Sequence, residues 1–212
     1  MGTTNVLASC AAIALATTGA MAGEMRQETT VHRFEDMSVI DGAKAELVRM
    51  DNGIYMTLDT VELTPGDTVT MWWVVFNEPG NCSEGVCNED DVLLMDADGT
   101  IADSPDGSTP INPEAWEAAS ISILRADGLV IGQEGTASFR GHLPLGDTTE
   151  AVGGPGLLDA TKAEVHAVIR THKQVEPGMV NEAINSMNGG CAETWPNEPC
   201  EDVQFSVFKP QM

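Results

Sequence analysis

Thr68-Val69-Thr70-Met71-Trp72-Trp73-Val74-Val75-Phe76 decides the fold. It is rich in β-branched and aromatic residues, has no helical period, and is apolar on both alternating faces over most of its length. Such a run is a strand buried on both sides at the centre of a sheet. The sequence around it punctuates the chain in the same way. Upstream, Pro65-Gly66-Asp67 makes a turn. Before that, Ile54–Leu63 alternates as a strand, and Asp51-Asn52-Gly53 closes a hairpin with the imperfectly alternating Ala45–Met50.

Downstream, residues 77–118 form a long polar excursion. Within it, Pro113–Ala119 is expected as a short helix, with Asn112 as N-cap and Pro113 at its first position. Strand patterns resume at Ser120–Leu124 and Gly128–Ile131, which flank Arg125-Ala126-Asp127. They continue at Thr136–Leu143 and Ala163–Thr171 and end at Val203–Phe208. Residues 146–158 read as a glycine-rich loop, and Pro177–Met187 as a short amphipathic helix ended by Asn188-Gly189-Gly190. Roughly eight short strands with many Gly and Pro turns predict an all-β domain, a β-sandwich or jelly-roll-like barrel. It is expected to occupy residues 31–212, preceded by a loosely held leader at 23–30.

The N-terminus has the form of a secretory signal peptide. Val6–Ala22 is apolar or small, Ala20-Met21-Ala22 fits the peptidase pattern, and charge begins at Glu24. The run is too short and too rich in Ala and Thr for a membrane span, which takes about 20 apolar residues. Cleavage after Ala22 removes Cys10 and leaves Cys82, Cys87, Cys191 and Cys200. An even count in an exported chain reads as two disulfides, and local pairing (Cys82 with Cys87, Cys191 with Cys200) suits the two short polar loops. A zinc site of four cysteines fits poorly, since C-x4-C and C-x8-C are not knuckle spacings. These features place the chain in an extracellular or periplasmic compartment.

Ten Lys and Arg stand against 33 Asp and Glu, for a formal charge of −23. That surface repels phosphate backbones and excludes nucleic-acid binding as a function class. It suits solubility in salt, or cation binding. Asp96-Ala97-Asp98-Gly99 has the centre of a calcium loop, but the end positions fall on Leu94 and Pro105. A calcium site outside the EF-hand pattern would use Asp96, Asp98 and Asp103.

On the strand Glu164–Thr171, Val165, Ala167 and Ile169 share the core face. Glu164, His166, Arg170 and the following His172 share the other. His166 and His172 lie about 20 Å apart if the strand stays regular, so a common copper or zinc site needs a bend, or His142 from a neighbouring strand. Arg170 is expected to pair with Glu164 or a loop carboxylate, or to hold an anionic ligand. Trp72-Trp73 sends indoles to opposite faces, one into the core and the other towards a candidate pocket. No nucleophile elbow or phosphate-binding glycine loop is present.

Two passages, Ala137-Ser138-Phe139-Arg140-Gly141-His142-Leu143 and Ala163-Glu164-Val165-His166, resemble the CHRD domain, a secreted β-sandwich repeat. In that family a Phe-x-x-x-Leu strand precedes a His-bearing strand. The H-x-H form is missing here, because residue 168 is Val. The chain as a whole resembles secreted bacterial proteins with a Trp-Trp strand and two cysteine pairs. The resemblance implies fold and compartment.

The expected function is a binding or surface module, for a small-molecule, glycan or protein ligand, with contacts from loop 77–118 and from Glu164, Arg170 and Trp72. A redox or hydrolytic metal protein using His142, His166 and His172 is the alternative. A calcium-stabilised structural protein is the third reading.

Overall fold

The computed structural model describes residues 24–211, apart from 105, 150 and 193. The expected signal peptide and Cys10 lie outside the described residues. Ten strands and three short helices follow in order: β1 (Met25–Thr29), β2 (His32–Arg33), β3 (Lys44–Met50), β4 (Gly53–Thr60), β5 (Thr68–Phe76), α1 (Glu89–Val92), α2 (Pro113–Ala118), β6 (Ile121–Val130), β7 (Ala137–Pro144), β8 (Ala151–Gly153), β9 (Glu164–Thr171), α3 (Val180–Ala183) and β10 (Glu201–Phe208).

The strands make two antiparallel sheets, one of four strands in the order β1-β3-β4-β7 and one of six in the order β2-β10-β9-β5-β6-β8. The inner faces meet in a single core, as expected of a sandwich. Ala45, Leu47, Met56, Leu58 and Phe139 come from the four-stranded sheet, and Met71, Trp73, Val75, Ala167 and Ile169 from the six-stranded one. The strand that decided the fold, β5, is buried at all nine positions and lies between β9 and β6. At its C-terminal end the outward side chains are buried because a second apolar cluster covers them. Val74, Phe76 and Ile121 pack there against Cys87 and Ala119 from the excursion.

Four expectations change. Residues 25–29, expected in a loose leader, form β1, which pairs with β3 from Met25↔Arg49 to Thr29↔Ala45. The exposed edge of β3 supplies the backbone partners, and Arg26 pairs with Glu46. The two strand patterns that flank Arg125-Ala126-Asp127 are one strand. β6 runs through these residues, and a bulge opposite Met71 and Trp72 absorbs one residue. The 146–158 loop contains β8, added to the edge of β6. The helix expected over 177–187 is a 3₁₀ turn at Pro177–Met179 followed by the four-residue α3.

Candidate cystine–histidine centre

β9 is the spine of the candidate site. Its even-numbered residues face away from the core, beside those of β5: Glu164 opposite Phe76, His166 opposite Val74, Val168 opposite Trp72 and Arg170 opposite Thr70. Two excursions roof this outer face. Each is closed by a disulfide, Cys82–Cys87 in the first and Cys191–Cys200 in the second.

Under the first roof, the buried Glu164 Oε1 accepts from the Cys87 backbone N–H at 2.9 Å and from His166 Nε2 at 2.8 Å. The His166 ring also leans on Phe76, with centroids 4.9 Å apart. Asp91 closes the loop from above by accepting from the backbone N–H groups of Ser83 and Asn88, at 2.8 Å and 2.9 Å. This arrangement is a hydrogen-bonded seam that holds the loop to the sheet.

Under the second roof, three outward side chains of the sheet reach carbonyls of the 184–189 segment. Arg125 Nε donates to Ile184 at 3.0 Å, Arg170 Nε to Met187 at 3.3 Å, and His172 Nδ1 to Gly189 at 2.6 Å. The indole N–H of Trp72 donates to Thr70 Oγ1 at 2.7 Å, and the same hydroxyl lies 3.0 Å from His172 Nε2. Thr70 therefore spends its proton on Nε2, and Nδ1 carries the imidazole hydrogen. Burial holds His172 below the ordinary histidine range, opposed by the Gly189 bond and assisted by the Arg170 charge. The sulfurs of Cys191 and Cys200 stand 3.5 Å and 3.4 Å from Nδ1. His172, Cys191 and Cys200 thus present three ligand atoms, all within 4.8 Å of one another.

The residues singled out in the sequence divide among different places. Trp72 is buried like Trp73, and its N–H is committed to Thr70. Arg170 pairs with its cross-strand neighbour Asp202 at 3.0 Å, not with Glu164. Together with the buried Glu164, these side chains are structural contacts of the roofs and not an open polar face. His142, His166 and His172 do not converge. β7 pairs with β4 and not with β9, so His142 is exposed on the other sheet, stacked on Tyr55 with centroids 4.0 Å apart. The acidic loop behaves as a turn. Asp96 accepts from the Asp98 and Thr100 N–H groups at 2.9 Å and 3.1 Å, and the Thr100 bonds hold its carboxyl below the usual range. Asp98 and Asp103 point to solvent, and among the described residues neither joins Asp96 in a cluster of metal-ligating groups.

In the sequence the histidines read as one candidate set and the cysteines as another. The combination of His172 with Cys191 and Cys200 was reachable only by noticing that the outward parity of β9 carries His172 towards whatever covers that face. Comparison of the chain with protein-family models, with curated proteins and with solved structures gives no match.

Proposed function

We propose that this chain is an exported binding module whose ligand sits at the open end of the six-stranded sheet. The signal-peptide pattern and the paired cysteines support export, and no helix among the described residues is long and apolar enough to cross a membrane. The observation that carries the binding reading is a groove of about 570 Å³ beside β2 and the start of β10. Its size falls within the range of small-ligand sites. Arg33, Phe34, Glu35, Glu62, Glu201 and Asp202 line it. Arg33 is paired with Glu62, Arg170 with Asp202 and Lys173 with Glu201, so the four carboxylates outnumber the three cations and Glu35 tips the field negative beside the Phe34 ring. The matching ligand is a cation with an apolar portion, such as a polyamine or a lysine-rich peptide.

Calorimetric titration with spermine and with a lysine-rich peptide tests the reading. Saturable binding should be lost in Glu35→Gln/Glu201→Gln and kept in Glu114→Gln/Glu117→Gln, which removes the same charge from α2. Equal weakening by both variants would reduce the effect to net charge and end the proposal.

A further inference from the structure

We propose that His172, Cys191 and Cys200 form a cystine-gated site for one Cu(I) ion. Three observations carry it. The donors are two sulfurs and one imidazole nitrogen, all within 4.8 Å of one another. Soft thiolates select thiophilic ions such as Cu(I). Among the described residues no carboxylate or second imidazole joins the group, so a closed tetrahedral zinc site lacks its fourth ligand, while three donors suit a low-coordinate Cu(I). Finally, the imidazole is already held from behind, because Nε2 is fixed by Thr70 and Thr70 by Trp72. Metal-bound histidines are oriented by such a partner on the other ring nitrogen.

The gate is the disulfide. A dithiol reductant delivers two electrons and two protons, breaks the Cys191–Cys200 bond and closes to its own cyclic disulfide. Cu(I) then takes the two thiolates and the Nδ1 lone pair. Both thiol protons leave to solvent. The imidazole changes tautomer and stays neutral: the Nδ1 proton is lost to solvent, one is taken up at Nε2, and the Thr70 hydroxyl turns its hydrogen away and accepts from Nε2 through a second lone pair. Nδ1 gives up Gly189, whose carbonyl also lies 3.6 Å from the Cys191 sulfur. Reductant and metal approach from the covering segment, where Cys191 is half-buried and Ala192, Thr194, Pro196, Glu198 and Pro199 are exposed.

The test is anaerobic Cu(I) titration against a chromophoric chelator, after reduction with a phosphine. Reduction also frees Cys82 and Cys87, so the count is read in the Cys82→Ser/Cys87→Ser protein as well. One Cu(I) per chain should be retained there, none by the oxidised protein, and none once Cys191→Ser/Cys200→Ser is added to that background. His172→Gln should weaken retention at least tenfold, and equimolar Zn(II) should not displace the copper. X-ray absorption of the Cys82→Ser/Cys87→Ser copper complex should show two sulfur neighbours and one nitrogen, a readout that leaves all three proposed ligands unaltered. Copper held equally without Cys191 and Cys200, a site unmoved by His172→Gln, a nitrogen-free copper shell, or preference for Zn(II) would each overturn the proposal.

Discussion

Arg49, on β3 of the four-stranded sheet, donates through Nη2 at 3.2 Å to the carbonyl of Phe208, the last residue of β10 in the six-stranded sheet. Its guanidinium is fully buried at the end of the sandwich and uses every donor. The remaining bonds go to the carbonyls of Ala160, Ala163 and Lys209 and to Gln27 Oε1. Burial brings its pKa down to about 10, against the pull of Asp159 and Glu164, so it stays cationic at neutral pH. One side chain therefore ties β1, β3, the 160–163 turn and the C-terminal strand together. Arg49→Met strips four carbonyls of their donor and should cost at least about 3 kcal/mol. Arg49→Lys keeps a charge but offers three donors, and should recover only part of that loss. Urea unfolding midpoints of the three proteins give the ranking; an Arg49→Met protein as stable as wild type would show the network to be replaceable by packing.

Gly141 lies on β7 directly over the ring of Trp73. A Cβ at residue 141 would stand 2.5 Å from Trp73 Cζ2. The constraint is one of space and not of backbone angle, because Gly141 is not among the positive-φ residues. Gly141→Ala should overpack the core and cost about 1–3 kcal/mol. Displacement of the indole should appear as a shift in tryptophan emission and near-ultraviolet circular dichroism. Unchanged spectra with an unchanged melting temperature would count against the contact.

These two residues also mark how far the sequence can be read. The Thr68–Phe76 run, the Asp51-Asn52-Gly53 hairpin and the Val165, Ala167, Ile169 stripe are local period-two signals, and the structure places all three as expected. Arg49 was visible only as the flaw in the alternation of Ala45–Met50. It occupies the core position after Ala45 and Leu47, and its acceptors come from carbonyls more than a hundred residues away. Backbone carbonyls carry no residue signature, so nothing in the sequence announces them. The same reasoning covers the candidate centre. The outward parity of His172 was legible, but which loop lies over it depends on the path of residues 173–200. His142 failed as its partner because strand pairing between distant segments was not encoded locally.

Asp159 makes acid sensitivity predictable. It pairs with Lys162 and accepts from the backbone N–H of Thr161 at 2.9 Å, and these contacts, the Lys162 pair above all, hold its carboxyl far below the ordinary range. The turn it closes delivers the Ala160 and Ala163 carbonyls to Arg49. A carboxyl with a depressed folded pKa contributes stability that is complete above its unfolded value, 3.8, and is lost as pH falls below it. Asp159→Asn should therefore cost about 1 kcal/mol at pH 7, the charge being partly exposed. The gap from wild type should close progressively as the pH is lowered below about 4. Parallel melting curves from pH 7 to pH 2 measure it, and a gap that persists unchanged at pH 2 would contradict the role given to the ionised carboxylate.

Glu164 offers the sharpest local test of the roofed architecture. Its Oε1 receives the Cys87 N–H and the His166 ring nitrogen, so one buried oxygen joins β9 to the loop closed by Cys82 and Cys87. Glu164→Ala removes the acceptor from one buried and one part-buried donor and should cost about 2 kcal/mol. Glu164→Gln keeps a carbonyl oxygen in reach of both and should cost less, although it gives up the charge that strengthens these bonds. Hydrogen exchange separates a local effect from a global one. In Glu164→Ala the Cys87 amide should exchange markedly faster, while the Ala167 amide, on the strand between β10 and β5, should change only with overall stability. Equal acceleration at both amides would mean that Glu164 supports the sheet itself and not the attachment of its cover.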